Sequence, residues 1–193
     1  ITLSIMVSGG MVKTLLLLIS MLVPPSAQEK FHDEPEADAR ARYAVIAEAV
    51  AGEVGGDMRL ARYLLTVAKH ESSFTRAVHS GAKKGDALRS WGLFQIMCGR
   101  FPISRVPGTK YKAHEIVGVD IAATKRATKA AAVHLKRAIR RCKGVPLCVF
   151  RGYGGVSRTY SPKVKARLLA RVRTYRRLET KKTHDDKNER DAK

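Results

Sequence analysis

Apolar positions recur at mixed spacings of three and four along most of this chain, the period of helices with one buried face. Such a pattern predicts a short helix from Tyr43 to Val54, closed by Gly55-Gly56. Asp57 is a good N-cap for the next helix, where Leu60, Leu64, Val67 and Ala68 stripe one face and carry the chain to His70-Glu71. Residues 76–90 hold two glycines and many polar residues, which predicts a loop or an irregular hairpin. Trp91 to Met97 is a short apolar run whose period does not choose between helix and strand, and Pro102 to Lys112, with two prolines, is a further loop. Asp120 to Cys142 is the longest helical pattern, rich in Ala, with Ile121, Ala131, Leu135 and Ile139 as expected core contacts and Gly144 and Pro146 as its terminators. Pro162 suits a helix N1 position, and Val164, Leu168, Leu169, Val172 and Leu178 continue helically to about Glu179. Strand signals are weak and no repeat is visible. The expected fold is a single, mainly α domain with little or no β-structure.

The ends of the chain read differently. The longest apolar run, Leu15 to Val23, follows Lys13 and precedes Pro24, Pro25, Ser26 and Ala27. A helix that spans a bilayer needs about 20 apolar residues. This shorter run fits the hydrophobic region of a secretory signal peptide over residues 1–27, of which 1–10, ahead of Met11, read as an upstream extension. The competing reading is a buried hydrophobic helix, against which stand the two prolines and the polar stretch behind them. The mature chain is then exported, to a periplasm or outside the cell, with no transmembrane anchor after cleavage. Residues 28–41, charged and interrupted by Pro35, are expected to be a mobile leader. Residues 42–179 form the folded domain, and 180–193, almost without apolar residues, form a disordered charged tail.

Charge narrows the partners. The 193 residues carry 37 Lys and Arg against 17 Asp and Glu, a net charge of +20, which predicts attraction to a polyanion. Between Lys125 and Lys182 stand 19 basic residues and one acid, Glu179. No groove-reading motif accompanies them, and aromatic residues make up only 6% of the chain, so no nucleic acid is expected as partner. Three cysteines are too few for a disulfide-dense scaffold or a four-thiolate zinc site. Cys142 and Cys148 flank the turn-like Lys-Gly-Val-Pro-Leu, a spacing that permits but does not require a disulfide in an oxidising compartment. Cys98 is then an unpaired thiol or a small buried residue. A zinc-protease helix would need a second His where Phe74 follows His70-Glu71, so neither metal nor other cofactor is expected.

Three stretches carry a family resemblance. AKHESSF (68–74), SWGLFQI (90–96) and RGYGG (151–155), the last followed by YSPKV (160–164), resemble in order and spacing the lysozyme-like lytic transglycosylases, relatives of the goose-type lysozymes. The resemblance spans about residues 57–175, and its third block departs from the family in having Gly154 where Asn is usual. It implies a lysozyme-like domain that cleaves the β-1,4 bond between N-acetylmuramic acid and N-acetylglucosamine in peptidoglycan, acting as a monomer. On the lytic route one Glu protonates the leaving group, then acts as base on the muramoyl C6 hydroxyl, which closes a 1,6-anhydro ring.

The residue types suit that chemistry. Glycoside cleavage needs a proton donor at the leaving oxygen, and an ordinary Glu, with a pKa of about 4.3, is ionised at neutral pH. Glu71 ends an apolar helix, where desolvation would favour its acid form, with Phe74 and Trp91 as candidate walls. Ser72 either positions substrate or orients Glu71, or else bonds its own helix backbone. Gln95 offers donors and an acceptor to an N-acetyl amide or sugar hydroxyl, and Gly92 permits close approach of chain and sugar. Tyr153 brings a ring and a hydroxyl to a glycine-rich turn, and the resemblance places it across the cleft from Glu71; core packing is the alternative. His70 is expected at the cleft rim and His79 in a solvated loop. Asp86, nine residues before Gln95, is the candidate second carboxylate, at a position where goose-type lysozymes also carry Asp; the next acidic position of those enzymes is Met97 here. Hydrolysis through Asp86 is therefore the alternative to the lytic route. The basic surface is expected to bind anionic wall polymers as well as glycan strands, and a non-catalytic cationic wall- or polyanion-binding protein is the reading from another class.

Overall fold

Capping residues and prolines decide where each helix starts and stops. A computed structural model describes the backbone of residues 8–155 and 161–191 and the side chains of residues 9–155 and 161–180. In chain order its α-helices are α1 (Ser8–Leu22), α2 (Pro25–His32), α3 (Glu36–Val54), α4 (Met58–Ser72), α5 (Arg76–His79), α6 (Ile121–Arg141), α7 (Pro146–Tyr153) and α8 (Pro162–Asp191). The chain is mainly helical, as its periodicity predicts. The Asp57 carboxylate accepts the Leu60 N–H at 2.9 Å and caps α4, while Gly55, at φ +56°, closes α3. Asp120 accepts the Ala123 N–H at 2.9 Å ahead of α6, a bond that holds its carboxyl below the usual carboxylate range. The run whose period was ambiguous is neither one helix nor one strand. Its ends form β1 (Ser90–Trp91) and β2 (Ile96–Met97), antiparallel with Ser90 opposite Met97 and Trp91 opposite Ile96, around a tight turn.

Two compact units divide within α6, Ile1–His134 and Leu135–Lys193, where the sequence pattern suggests one domain. In the first, α1, α2 and α4 lie against α3, which buries Ala39, Tyr43, Ile46, Ala47 and Val50. The apolar run of the expected signal peptide is α1, with Leu15 and Ile19 fully buried, the arrangement of a chain that still carries this segment. No single helix among the described residues is long and apolar enough to cross a membrane. The expected mobile leader needs correction: residues 28–41 contain part of α2 and the start of α3. Gln28 is wholly buried, and Glu34 forms a buried ion pair with Arg42, with Arg42 Nε donating to Glu34 Oε1 at 2.8 Å. Charge in the sequence suggested solvation, but the Glu34 and Arg42 charges pair with each other and the Gln28 amide nitrogen bonds Ser73 O and the Tyr43 hydroxyl, which offsets much of the cost of burial.

In the second unit α7 packs on α8, with Phe150 edge-on to Tyr175 at 6.1 Å between ring centroids. Cys142 and Cys148 are bonded, with their Cα atoms 5.6 Å apart, and tie the end of α6 to α7. Leu168, Val172, Tyr175 and Leu178 form the buried stripe of α8, whereas Leu169 is exposed. α8 runs on to Asp191, past the Glu179 boundary and into the segment expected to be disordered. Neither Gly nor Pro interrupts residues 163–191, and an established helix extends readily through Lys, Arg and Glu. Tyr160 and most of the expected upstream extension 1–10 lie outside the described residues.

His79 is the clearest reversal among the histidines. It was expected in a solvated loop; it ends α5 and is fully buried. Its Nε2 lies 2.9 Å from Thr124 Oγ1, and because Thr124 donates its own proton to Asp120 O, His79 is the donor in this pair. Nδ1 has no partner. Burial, helped by the Arg42 charge, lowers the imidazole pKa to about 3. The unfolded chain takes up this proton near the ordinary value of 6.5 and the folded chain only near 3, so the His79 contribution is complete above pH 6.5 and is lost as pH falls toward 3. The limiting slope is about 1.4 kcal/mol per pH unit. His79→Gln, which keeps a donor toward Thr124 and removes the titration, should flatten the fall in urea-unfolding stability between about pH 6 and 4 by up to that slope. An unchanged slope would place the acid sensitivity elsewhere.

Candidate active site

The end of α4 builds one wall of the site. Its last residue is Ser72, and the chain leaves the helix through two left-handed residues, Ser73 at φ +49° and Phe74 at φ +55°. Such angles are unfavourable for residues other than glycine and need external support. Side chains supply it. Ser72 Oγ donates to Ala68 O at 2.7 Å and accepts the Phe74 N–H at 3.2 Å; Thr75 Oγ1 donates to Ser72 O at 2.9 Å; and Gln28 Nε2 donates to Ser73 O at 3.0 Å. The same Gln28 nitrogen bonds the Tyr43 hydroxyl at 3.0 Å, and the Tyr43 ring stands edge-on to Phe74 at 5.8 Å. Of the alternatives for Ser72, the structure displays the backbone bond: the hydroxyl organises the turn that follows Glu71.

The turn of the β1–β2 ribbon brings Gln95 to the same cavity. Gln95 takes φ +46° in its turn, and its Nε2 donates to Gly92 O at 3.0 Å, which leaves Oε1 as the acceptor able to meet a ligand. A cavity of about 460 Å³ gathers Glu71, Ser72 and Gln95, together with His32, His70, Arg76, Lys83, Lys84 and Gly85. Glu71 and His70 are both half-buried there. Every residue lining this cavity belongs to the first unit. Tyr153 belongs to the second, where it is the half-buried last residue of α7 rather than part of the turn beyond it.

Several expectations change on contact with this geometry. Phe74 and Trp91 are buried, but neither lines the cavity, and Phe74 serves the core beside Tyr43. Gly92 makes room for protein rather than sugar: a Cβ there would lie 2.6 Å from Ile116 O, and its φ is +69°. Asp86 is exposed at φ +46°, does not line the cavity, and accepts the Ser90 hydroxyl at 3.1 Å on Oδ2. Cys98 is half-buried and donates to Ile96 O at 3.2 Å, and burial raises its thiol pKa to about 11, which marks it as an unreactive thiol. Among the described residues no three His, Cys, Asp or Glu side chains stand together as a metal site.

Gly85 is a residue that sequence reasoning missed. A Cβ on it would stand 2.3 Å from Gln95 Oε1, so the bare backbone there defines where the amide sits. In the sequence it is one glycine of a polar loop, and nothing short of the bridge from Gly85 to Ser90 reveals its neighbour. Lys83, Lys84 and His32 were likewise unmarked. No family model matches the chain, and no curated protein or solved structure matches it.

The two glycines differ in a measurable way. Gly92→Ala meets backbone and a left-handed φ, and should cost about 1–3 kcal/mol in urea unfolding. Gly85→Ala meets only the far end of a flexible side chain and should change stability by less than about 0.5 kcal/mol while displacing the Gln95 amide. The reverse order would mean that the Gln95 side chain is locked by its surroundings rather than by the gap at Gly85.

Proposed function

We propose that this protein is an exported peptidoglycan lytic transglycosylase, with Glu71 as its general acid and base. The observation that carries this reading is a cavity in which Glu71 is the only carboxylate among the lining residues and Gln95 joins it from a distant part of the chain. The ordered resemblance of the three sequence blocks supports the same chemistry. In the proposed reaction Glu71 gives its proton to the glycosidic oxygen as the bond to muramoyl C1 breaks. The resulting carboxylate then removes the proton of the C6 hydroxyl, whose oxygen closes on C1. The acid is regenerated, and the products are a free 4-hydroxyl end and a 1,6-anhydro end. Gln95 Oε1 accepts an acetamido N–H and so holds the sugar in register.

Export is part of the proposal. The Cys142–Cys148 bond belongs to an oxidising compartment, and the basic second unit would hold the enzyme near an anionic wall. Hydrolysis is the competing route, and it requires a second carboxylate about 5–9.5 Å from the first. Asp86 is the candidate for it, and its exposure and its bond to Ser90 favour the lytic route instead.

Glu71→Gln keeps size and hydrogen-bonding reach but removes the transferable proton. Turnover of purified sacculi should fall by about 10²–10⁴ or more, with thermal stability unchanged. Mass spectrometry of wild-type products should show 1,6-anhydromuramoyl ends, and Asp86→Asn should leave both rate and products nearly unaltered. Reducing ends alone, with Asp86→Asn as damaging as Glu71→Gln, would establish the hydrolytic route. Full activity in Glu71→Gln would remove the enzymatic reading based on this residue.

A further inference from the structure

The cavity that holds Glu71 is lined by more positive charge than cleavage of a neutral sugar chain requires. Arg76, Lys83 and Lys84 stand in its wall beside His32 and His70, against the single carboxylate of Glu71. Among the described residues neither lysine forms an ion pair. Lys84 instead lies over the ring of buried Trp91, with Nζ 3.7 Å from the ring centroid. A cation stacked on an aromatic face is held in place without being neutralised. The adjacent backbone is fixed as well, since Lys83 N–H donates to Ala77 O at 2.8 Å and Gly85 N–H to Ser90 O at 3.1 Å. Arg76 reaches Asp38 only at 3.7 Å, with both side chains more than half exposed, so its charge also remains largely available.

We propose that Lys83 and Lys84, assisted by Arg76, form a carboxylate-binding subsite of this cavity, so that the preferred substrate is a glycan bearing a free carboxylate beside the scissile bond. The inference rests on reading the cavity as a glycan cleft and adds to that reading a charge requirement. A sugar chain without carboxylates would fit the Gln95 amide equally well but would leave the ammonium groups with water alone. A carboxylate accepts hydrogen bonds from both lysines and is not repelled by Glu71 while Glu71 carries its proton. Two sources present that group in peptidoglycan: the lactyl carboxylate of a peptide-free muramoyl residue, and the carboxylates of a stem peptide attached there.

The test uses the full chain carrying Glu71→Gln, which binds without turning over, and titration calorimetry with three tetrasaccharides. One is neutral chitotetraose, one a peptide-free muramoyl-containing tetrasaccharide, and one the same sugar with stem peptides. The carboxylate-bearing ligands should bind about tenfold more tightly than chitotetraose at low salt, the scale of two partly exposed charge pairs. Whichever of the two charged ligands binds more tightly identifies the source of the carboxylate. Emission from Trp91, the only tryptophan, should respond to the charged ligands because Lys84 sits on its ring. Adding Lys83→Gln and Lys84→Gln should reduce the preference to about twofold or less, as should high salt, whereas Lys83→Arg with Lys84→Arg should retain it. Equal affinity for neutral and charged ligands, or a preference that survives loss of both lysines, would overturn the subsite and leave the glycan cleft standing. Failure of all three sugars to bind would overturn the cleft and the subsite together.

Discussion

The position of Glu71 depends on how α4 ends. α4 stops without glycine and puts two ordinary residues, Ser73 and Phe74, into left-handed backbone, at about 1–3 kcal/mol each. A net hydrogen bond contributes about 0.5–1.5 kcal/mol, so several are needed to offset that strain, and several are present. The Ser72 and Thr75 hydroxyls bond the last carbonyls from within the turn, and the Gln28 amide reaches Ser73 O from a different helix. Glu71 sits one residue before this braced turn. The cavity therefore inherits its shape from a turn that could not persist alone.

Gln28 also shows why the amino-terminal segment belongs to the fold. Its wholly buried amide bridges Ser73 O and the Tyr43 hydroxyl, and Glu34 and Arg42 bury opposite charges a few residues on. A buried ion pair adds little net stability, but neither partner can leave without stranding the other's charge. These paired groups hold the connection between α2 and α3 in place. The neutral imidazole of His79 shows the cost of an unpaired buried charge, since burial first and the nearby Arg42 charge second make protonation unfavourable.

Charge has different roles in the two units. In the first, a few cations stand in the wall of a cavity with one carboxylate, a placement that bears on which ligand fits. In the second, basic residues spread along helices whose apolar stripe is used up between α7 and α8, while the Cys142–Cys148 bond ties α7 to the end of α6. A diffuse field of that kind attracts polyanions without discriminating among them, and salt weakens it.

Much of the architecture was legible because its causes are local. Helical periodicity, the Asp57 cap, the Gly55 stop and the Pro162 start act over a turn or two, so the mainly α class and the bounds that these residues set follow from the sequence itself. Glu71 and Gln95 could be singled out because each sits in one of three short blocks whose order and spacing carry the family resemblance. What stayed hidden depends on partners distant in the chain. Charged residues 28–41 looked solvated because Gln28 finds Ser73 only after 45 residues, and His79 looked exposed because Thr124 lies equally far away. Gly92 looked like a space for sugar until Ile116 O occupied it, and Gly85 and Lys84 acquired meaning only beside Gln95 and Trp91. Period and capping are written in neighbouring residues, whereas burial of a polar group depends on whether a partner arrives from elsewhere, and only the tertiary structure decides that.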